Sequence, residues 1–154
     1  MTLKAIFFVA LASFAIPAAQ ATAALGEHVD SVQSDAVAMG AKAAVVSNES
    51  SAYSVQSMKT EDGVDVREFV TPDGTVFGVA WRGPHAPDLA QLLGKYFKTY
   101  TDEAAKAKAP RSLHHGSVKT ADLIVQRAGQ ARETWGRAYV PALIPSGVSE
   151  DEIK

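Results

Sequence analysis

Hydrophobic and polar residues alternate along the chain from Tyr53 to Trp81, as in β-strands that bury one face. Two Asp-Gly pairs, in the segments 61–63 and 72–74, interrupt the alternation. Asp-Gly favours a hairpin because glycine accepts the positive φ that tight turns require. This stretch therefore predicts a three-stranded antiparallel meander.

The second turn predicts how the last two strands of this meander pair. If Val70 pairs with Thr75, the preceding pairs are Glu68 with Phe77, Val66 with Val79, and Val64 with Trp81. The side chains of these last six residues then share one face, the predicted core face, and Asp65 and Arg67 point the other way. A bulge at either turn would shift this register.

A long amphipathic helix is predicted to begin near Asp88. Its apolar residues recur at helical spacing and are Leu89, Leu92, Leu93, Tyr96, Phe97 and Tyr100. This stripe is broad enough to cover a sheet. Pro84 and Pro87 cannot extend the helix backwards, and the Asp88 carboxylate can cap the amides of its first turn.

The flanking segments complete an α+β prediction. Residues 30–46 predict a short helix of small residues, with Val32, Ala36 and Met39 on one side. Residues 101–119 predict a polar exit that ends in a loop, and residues 123–140 predict a hairpin that turns near Gly129. We therefore expect an antiparallel β-meander of about five strands, with the long helix packed on one face and a short N-terminal helix.

The first 23 residues have the composition of a signal peptide. Lys4 is their only charge, and an apolar run from Ala5 to Ile16 precedes small residues that suit cleavage after Ala23 or Ala21. The run is shorter than the roughly 20 residues that span a bilayer. We expect a periplasmic or secreted protein without a membrane span, whose residues 24–154 form a single domain with a frayed acidic C-terminal tail.

Composition narrows the possible chemistry. The chain has no cysteine, which excludes disulfides and thiol chemistry. Without Lys4, 14 of the 15 basic residues remain against 17 acidic ones, so no basic excess indicates nucleic acid as a partner. His114 and His115 are adjacent, so their side chains point apart on regular backbone. This spacing matches none of the known metal-binding motifs. We expect no metal and no cofactor.

Trp81 and Arg82 lie where the last meander strand meets the long helix, and two interpretations are open. In the first, the indole and the guanidinium form a binding lip beside a helix N-terminus that attracts anions. In the second, Trp81 is buried over the helix end and Arg82 is solvated. The carboxylate of Asp88 would compete with a bound anion, which favours the structural interpretation.

Glu68 is the anomalous residue of the predicted core face. An ionised carboxylate buried among valines requires a partner, and the candidates are Ser57 and the hairpin arginines Arg127, Arg132 and Arg137. A buried acid can act as a general acid or base. A small hydrolase-like enzyme that uses Glu68, with Arg67, Arg82 or a loop histidine, is therefore an alternative function.

Three segments carry a family resemblance: "VREFVTPDGTVFGVAWRGPHAPDLAQLLGKYF" at 66–97, "ALGEHVDSV" at 24–32 and "GRAYVPALIPSGV" at 136–148. In them the chain resembles a family of small bacterial exported proteins known as domain of unknown function 2844. The resemblance implies an exported bacterial protein of one domain and carries over no catalytic residue, substrate or cofactor.

The leading functional hypothesis is a non-enzymatic binding or accessory domain. It would present a sheet face, an edge strand or the 81–88 segment to an envelope protein or a small ligand. The candidate binding residues are Trp81, Arg82, Arg67, Glu68 and Asp88. A purely structural envelope component is a third possibility that differs from the first only in its partner.

Overall fold

The computed structural model describes residues 25–28, 42–44, 52–106 and 115–154. Its strands are β1 (Lys42–Ala44), β2 (Ser54–Lys59), β3 (Asp65–Val70), β4 (Val76–Gly83), β5 (His115–Lys119), β6 (Ile124–Gln130) and β7 (Glu133–Tyr139). They form one antiparallel sheet in the order β1-β2-β3-β4-β7-β6-β5. The helices are α1 (Leu89–Leu93) and α2 (Phe97–Lys106), joined by a 3-10 turn at Gly94–Tyr96. The predicted α+β fold is confirmed.

The described sheet has seven strands where about five were predicted. β1 lies within the segment predicted as a short helix, and β5 lies in the predicted loop. Both are edge strands whose partners supply the pairing, so tertiary context overrides the local signal. The rest of the predicted N-terminal helix and the predicted signal peptide lie outside the described residues.

The turn and a bulge together displace the predicted register between β3 and β4: Val70 pairs with Val76 and not with Thr75, and the bulge adds one more residue. Glu68 lies opposite Val79, two residues beyond the predicted Phe77, and Val66 correspondingly lies opposite Trp81. The irregularity falls between Phe69 and Val70. A displacement of the pairing by two residues leaves Val66 and Val79 on the same face of the sheet. The bulge, however, turns the Phe77 side chain to the opposite face. The prediction that Phe77 shares their face is wrong, because Phe77 packs with Phe69 on the other side.

The helical segment covers one side of the sheet, called here the helix face. Leu92 and Leu93 are fully buried in the core cluster that also contains Val66 and Val79. Four predicted stripe residues pack partly buried against this cluster: Leu89, Tyr96, Phe97 and Tyr100. The stripe therefore covers the sheet as predicted, although Gly94, at a φ of 48°, ends α1 and divides the helix.

Residues 25–28 attach the start of the described chain to this core. The amide of Gly26 donates to the carbonyl of Val76 at 2.8 Å, and the amide of Val76 donates to the carbonyl of Glu27 at 2.9 Å. Leu25 is fully buried, and its amide donates to the carbonyl of Leu92 at 3.3 Å. This segment thus joins the second meander turn to α1.

The opposite side of the sheet, called here the open face, carries the C-terminal tail, residues 149–154. A 3-10 turn at Glu150–Glu152 begins with a capping box between Ser149 and Glu152, and Ile153 is fully buried. A Cβ at Gly78 would lie 3.0 Å from Cδ1 of Ile153, so the glycine leaves room for this side chain. The tail was predicted to be frayed, and the burial of Ile153 explains why it is packed instead.

Candidate functional site

Strand alternation separates Trp81 from Arg82. Trp81 points to the helix face and is 2% exposed. It lies opposite Gly136 on β7, and a Cβ at Gly136 would lie 2.6 Å from Cε2 of the indole. The indole ring therefore packs over Gly136 within the core, in agreement with the structural interpretation.

Arg82 and Asp88 are engaged in separate local contacts. The Arg82 side chain is on the open face, where its Nε donates to Glu133 Oε1 at 2.9 Å. Both side chains of this pair are more than half exposed, so the pair contributes little to stability. The Asp88 carboxylate accepts the amide of Ala90 at 2.8 Å and caps α1. Trp81, Arg82 and Asp88 thus do not converge on a common site.

Glu68 is fully buried on the helix face, opposite Gln56 and Val79. The partners expected for it are placed elsewhere. Ser57 pairs with Arg67, and alternation puts both on the open face. Arg137 is also on the open face. Arg127 is on β6, the third strand from β3, and Arg132 is in the turn between β6 and β7. Glu68 lines neither of the two depressions described next.

A groove of about 790 Å³ crosses β5, β6 and β7 on the open face, bounded by the C-terminal tail, and is called here the β5–β7 groove. Alternation turns five of its side chains toward the open face: His115, Ser117, Gln126, Trp135 and Arg137. Asp151, Ile153 and Lys154 of the tail form its other border. The groove is thus built on rigid paired strands.

Trp135 is the distinctive side chain of this groove. It is 50% exposed, and among the described residues it is the only exposed large hydrophobic side chain. Its cross-strand neighbours are Arg82 and Ala128, and the small Ala128 side chain offers the indole little cover. An exposed indole on a paired strand presents a flat apolar surface with a polar N–H.

Arg137 forms the fixed polar part of the groove. Its Nε donates to Gln126 Oε1 at 2.7 Å, and its Nη1 donates to the carbonyl of Glu150 at 2.7 Å. Its Nη2 lies 3.6 Å from Asp151 Oδ1, and the Arg137 side chain is only 20% exposed. The guanidinium is therefore held in place and its charge is compensated by the tail.

A smaller depression of about 280 Å³ lies on the open face beyond the tail. Its lining residues are Tyr53, Val55, Ser57, Arg67, Phe69, Glu152 and Lys154. Of the five candidate binding residues from the sequence, Arg67 lines this depression, and none of the five lines the larger groove.

Carboxylates of the tail are fixed by tyrosines of the sheet. Burial, and then the hydrogen bond that Tyr139 donates to Glu150, raise the pKa of Tyr139 to about 12. Tyr53 donates to Glu152 Oε2 at 2.8 Å. The amide of Ser149, and then this Tyr53 hydroxyl, lower the pKa of Glu152. These two tyrosine hydrogen bonds attach the tail to the sheet.

The described residues contain neither a metal-binding cluster nor a membrane-spanning helix. No group of three or more His, Asp or Glu side chains is arranged to hold a metal ion within them. In the same part of the chain, no helix has the length and apolar character needed to cross a membrane. What the open face offers is an aromatic surface beside hydrogen-bonding side chains.

The groove residues Ser117, Gln126, Trp135 and Arg137 were missed by sequence reasoning. The stretch "ETWGRAY" at 133–139 contained a signal, because Gly136 and Ala138 alternate with larger side chains. If the small residues Gly136 and Ala138 face the core, Trp135 must point to the other face of the sheet. Its indole is then a candidate for an exposed aromatic side chain. That Ser117 joins them depends on β5, which was not predicted.

Comparisons with known proteins supply a family and no further likeness. Neither the curated proteins nor the solved structures include a significant match to this chain. The family described as "Protein of unknown function (DUF2844)" matches residues 21–153, nearly all of the chain. Together with the motifs of segment 66–97, this match shows that the chain belongs to the DUF2844 family.

Proposed function

We propose that this protein is an exported, non-enzymatic binding or accessory domain that holds a ligand or an envelope partner in the β5–β7 groove. The observation that carries this proposal is the half-exposed Trp135, which stands on a rigid sheet face and borders a groove of about 790 Å³. A groove of this volume lies within the range of about 300–1,000 Å³ that is typical of ligand sites.

The arrangement of the two faces supports the same proposal. The helical segment packs on one face of the sheet, and within the described part of the chain the β5–β7 groove on the other face stays uncovered. An exposed tryptophan beside an ordered polar network is a common contact residue in binding surfaces. Arg137 and Gln126 are already ordered by their mutual hydrogen bond, so binding would immobilise few additional side chains.

Export is proposed from the sequence. Residues 1–23 carry the single charge, apolar run and small residues of a signal peptide. Residues 24–154 would then form the mature binding domain in the periplasm or outside the cell. A cysteine-free chain suits this interpretation because its stability does not depend on disulfide formation after export.

The enzyme alternative is weaker on physical grounds. A general acid or base must reach the proton that it transfers. Glu68 is fully buried on the helix face, whereas both described depressions lie on the open face. Neither of these two depressions therefore places a substrate beside Glu68, which favours the binding function.

Affinity capture with variants tests the proposed function. The full chain carries a tag and a flexible linker between the predicted cleavage site after Ala23 and residue Ala24, because a C-terminal tag would adjoin Lys154, which borders the groove. Wild type and Trp135→Ala are compared, with Lys98→Ala as a matched exposed change on α2. We expect species that wild type and Lys98→Ala retain and that Trp135→Ala loses.

Two results would contradict the proposal. One is a captured species that Trp135→Ala retains as well as wild type does. The other is that no specific species is captured and the protein instead turns over a substrate. In that case the folded Glu68→Gln variant would have lost the activity. The cell fraction that contains the tagged chain tests export at the same time, because retention of an uncleaved chain in the cytoplasm would refute it.

A further inference from the structure

We propose that the β5–β7 groove binds an uncharged saccharide. The inference rests on the proposed function and assigns a ligand class to the same groove. Three properties of the lining carry it: an exposed indole face, compensated charges, and side chains that both donate and accept hydrogen bonds.

The indole of Trp135 suits the apolar face of a sugar ring. The face of an aromatic ring carries partial negative charge, and the C–H bonds on one side of a pyranose carry partial positive charge. Stacking of the two flat surfaces removes apolar area from water on both partners. Because Trp135 is 50% exposed on a paired strand, its ring is accessible and fixed to a rigid element.

The charges of the groove favour a neutral ligand. Arg137 lies 3.6 Å from Asp151 and also donates to the carbonyl of Glu150. Lys154 lies near enough to Glu152 to help lower the pKa of that carboxylate. Arg137 and Lys154 thus already have acidic neighbours, and alternation turns the third basic lining residue, Arg127, toward the helix face. A charged ligand would lose its own hydration without gaining an uncompensated counter-charge.

The polar side chains exclude a purely apolar ligand. Ser117 offers a hydroxyl, Gln126 an amide whose oxygen already accepts from Arg137, and Asp151 a carboxylate with 85% of its side chain exposed. Covering such groups with hydrocarbon leaves them without hydrogen bonds, at about 1–3 kcal/mol per group. Sugar hydroxyls both donate and accept, so they match donors and acceptors that lie side by side.

Fluorescence titration of the full chain tests the saccharide class. The probes are neutral oligosaccharides of glucose, of xylose and of N-acetylglucosamine, with an acidic oligosaccharide and a hydrophobic peptide for comparison. Trp81 is 2% exposed, so a change on binding reports mainly on Trp135. We expect a saturable change with at least one neutral oligosaccharide and none with the two comparison ligands.

Calorimetry with variants locates the binding site. Trp135→Ala is expected to weaken saccharide binding by about tenfold or more, because stacked aromatic residues dominate such contacts. Ser117→Ala, an exposed change on β5, should weaken binding less, and Lys98→Ala should leave it unchanged. Circular dichroism of each variant shows whether it retains the fold.

The outcomes separate this inference from the proposed function. The saccharide class is wrong if no neutral oligosaccharide binds, if the acidic oligosaccharide or the peptide binds better, or if Trp135→Ala binds like wild type. If Trp135-dependent capture still occurs in those cases, the binding function stands with another ligand class. If capture is also independent of Trp135, both proposals fail.

Discussion

Trp81 and Trp135 are the two tryptophans of the chain, and the sheet places them on opposite faces. Trp81 crosses Gly136 in the core, whereas Trp135 lies beside the small Ala128 and remains half exposed. The same residue type therefore has a structural role at one position and is a candidate contact at the other. The cross-strand neighbours of each tryptophan decide whether it is buried or exposed.

This difference predicts unequal effects on stability. Trp81→Ala should lower the free energy of unfolding by about 3–5 kcal/mol, as large-to-small changes in cores do. Trp135→Ala should lower it by only about 1–2 kcal/mol, since half of its indole surface is already exposed. Denaturant unfolding of both variants measures this, and equal losses would contradict the assigned positions of the two rings.

A methyl group at Gly136 should also be costly. A Cβ there would overlap Cζ2 of the Trp81 ring and lie 2.6 Å from its Cε2 and 2.8 Å from the backbone oxygen of Gln126. We expect Gly136→Ala to lower the free energy of unfolding by about 1–3 kcal/mol, as overpacking does. Gly116→Ala is the control, because its nearest atom, at 2.9 Å, belongs to the flexible Arg127 side chain. Thermal melts should show the smaller loss for Gly116→Ala.

The pKa of Tyr139 predicts sensitivity to alkali. The folded protein raises it from 10.0 to about 12, mainly by burial and then by the bond to Glu150. The contribution to stability is therefore fully present below about pH 10 and is lost as the pH rises through about 12. Unfolding free energies measured across this range should fall more steeply for wild type than for Tyr139→Phe. Parallel curves would show that Tyr139 is not held in this way.

Among single residues, those with local physical causes could be predicted from the sequence. Asp88 caps α1 as predicted, because a cap depends only on the next few amides. The burial of Glu68 also follows from its strand position. Its expected neighbours were wrong, because Gln56 and not Ser57 lies opposite it, and a one-residue difference in pairing changes the face.

At the scale of elements, β2, β3 and β4 were predictable and their pairing was not. Alternation and two Asp-Gly turns define the strands of the meander within one or two residues. The bulge at Phe69 and Val70 depends on how the whole sheet twists, which no local pattern records. The packed tail was missed because its partners are distant in sequence. β5 pairs with the adjacent β6 and was missed because its short polar sequence, HGSVK, carries little strand alternation.

Capping of α1 gives a test at this scale. Asp88→Ala removes the acceptor for the amides of Ala90 and Gln91 and should lower the free energy of unfolding by about 1 kcal/mol. Asp88→Asn retains an oxygen in the same place and should cost less. Denaturant unfolding distinguishes them, and an alanine variant as stable as wild type would mean that the cap does not hold the strand-to-helix junction.

At the scale of the whole molecule, the two sheet faces differ in what covers them. The helical segment packs on one face, and among the described residues the tail and residues 143–148 cover part of the other. The first arrangement was predictable from the leucine and aromatic stripe. The β5–β7 groove was not, because it requires an unpredicted edge strand, a hairpin and the tail to meet on one face.

Collisional quenching by acrylamide tests this division of the faces most directly. Trp81→Phe leaves Trp135 as the only indole, and Trp135→Phe leaves Trp81. The account predicts red-shifted, strongly quenched emission from Trp135 and blue-shifted emission from Trp81 that is quenched several-fold less. If Trp135 were the shielded indole, or if both were quenched equally in folded variants, the open face would not be the accessible one and the binding function assigned to it would be contradicted.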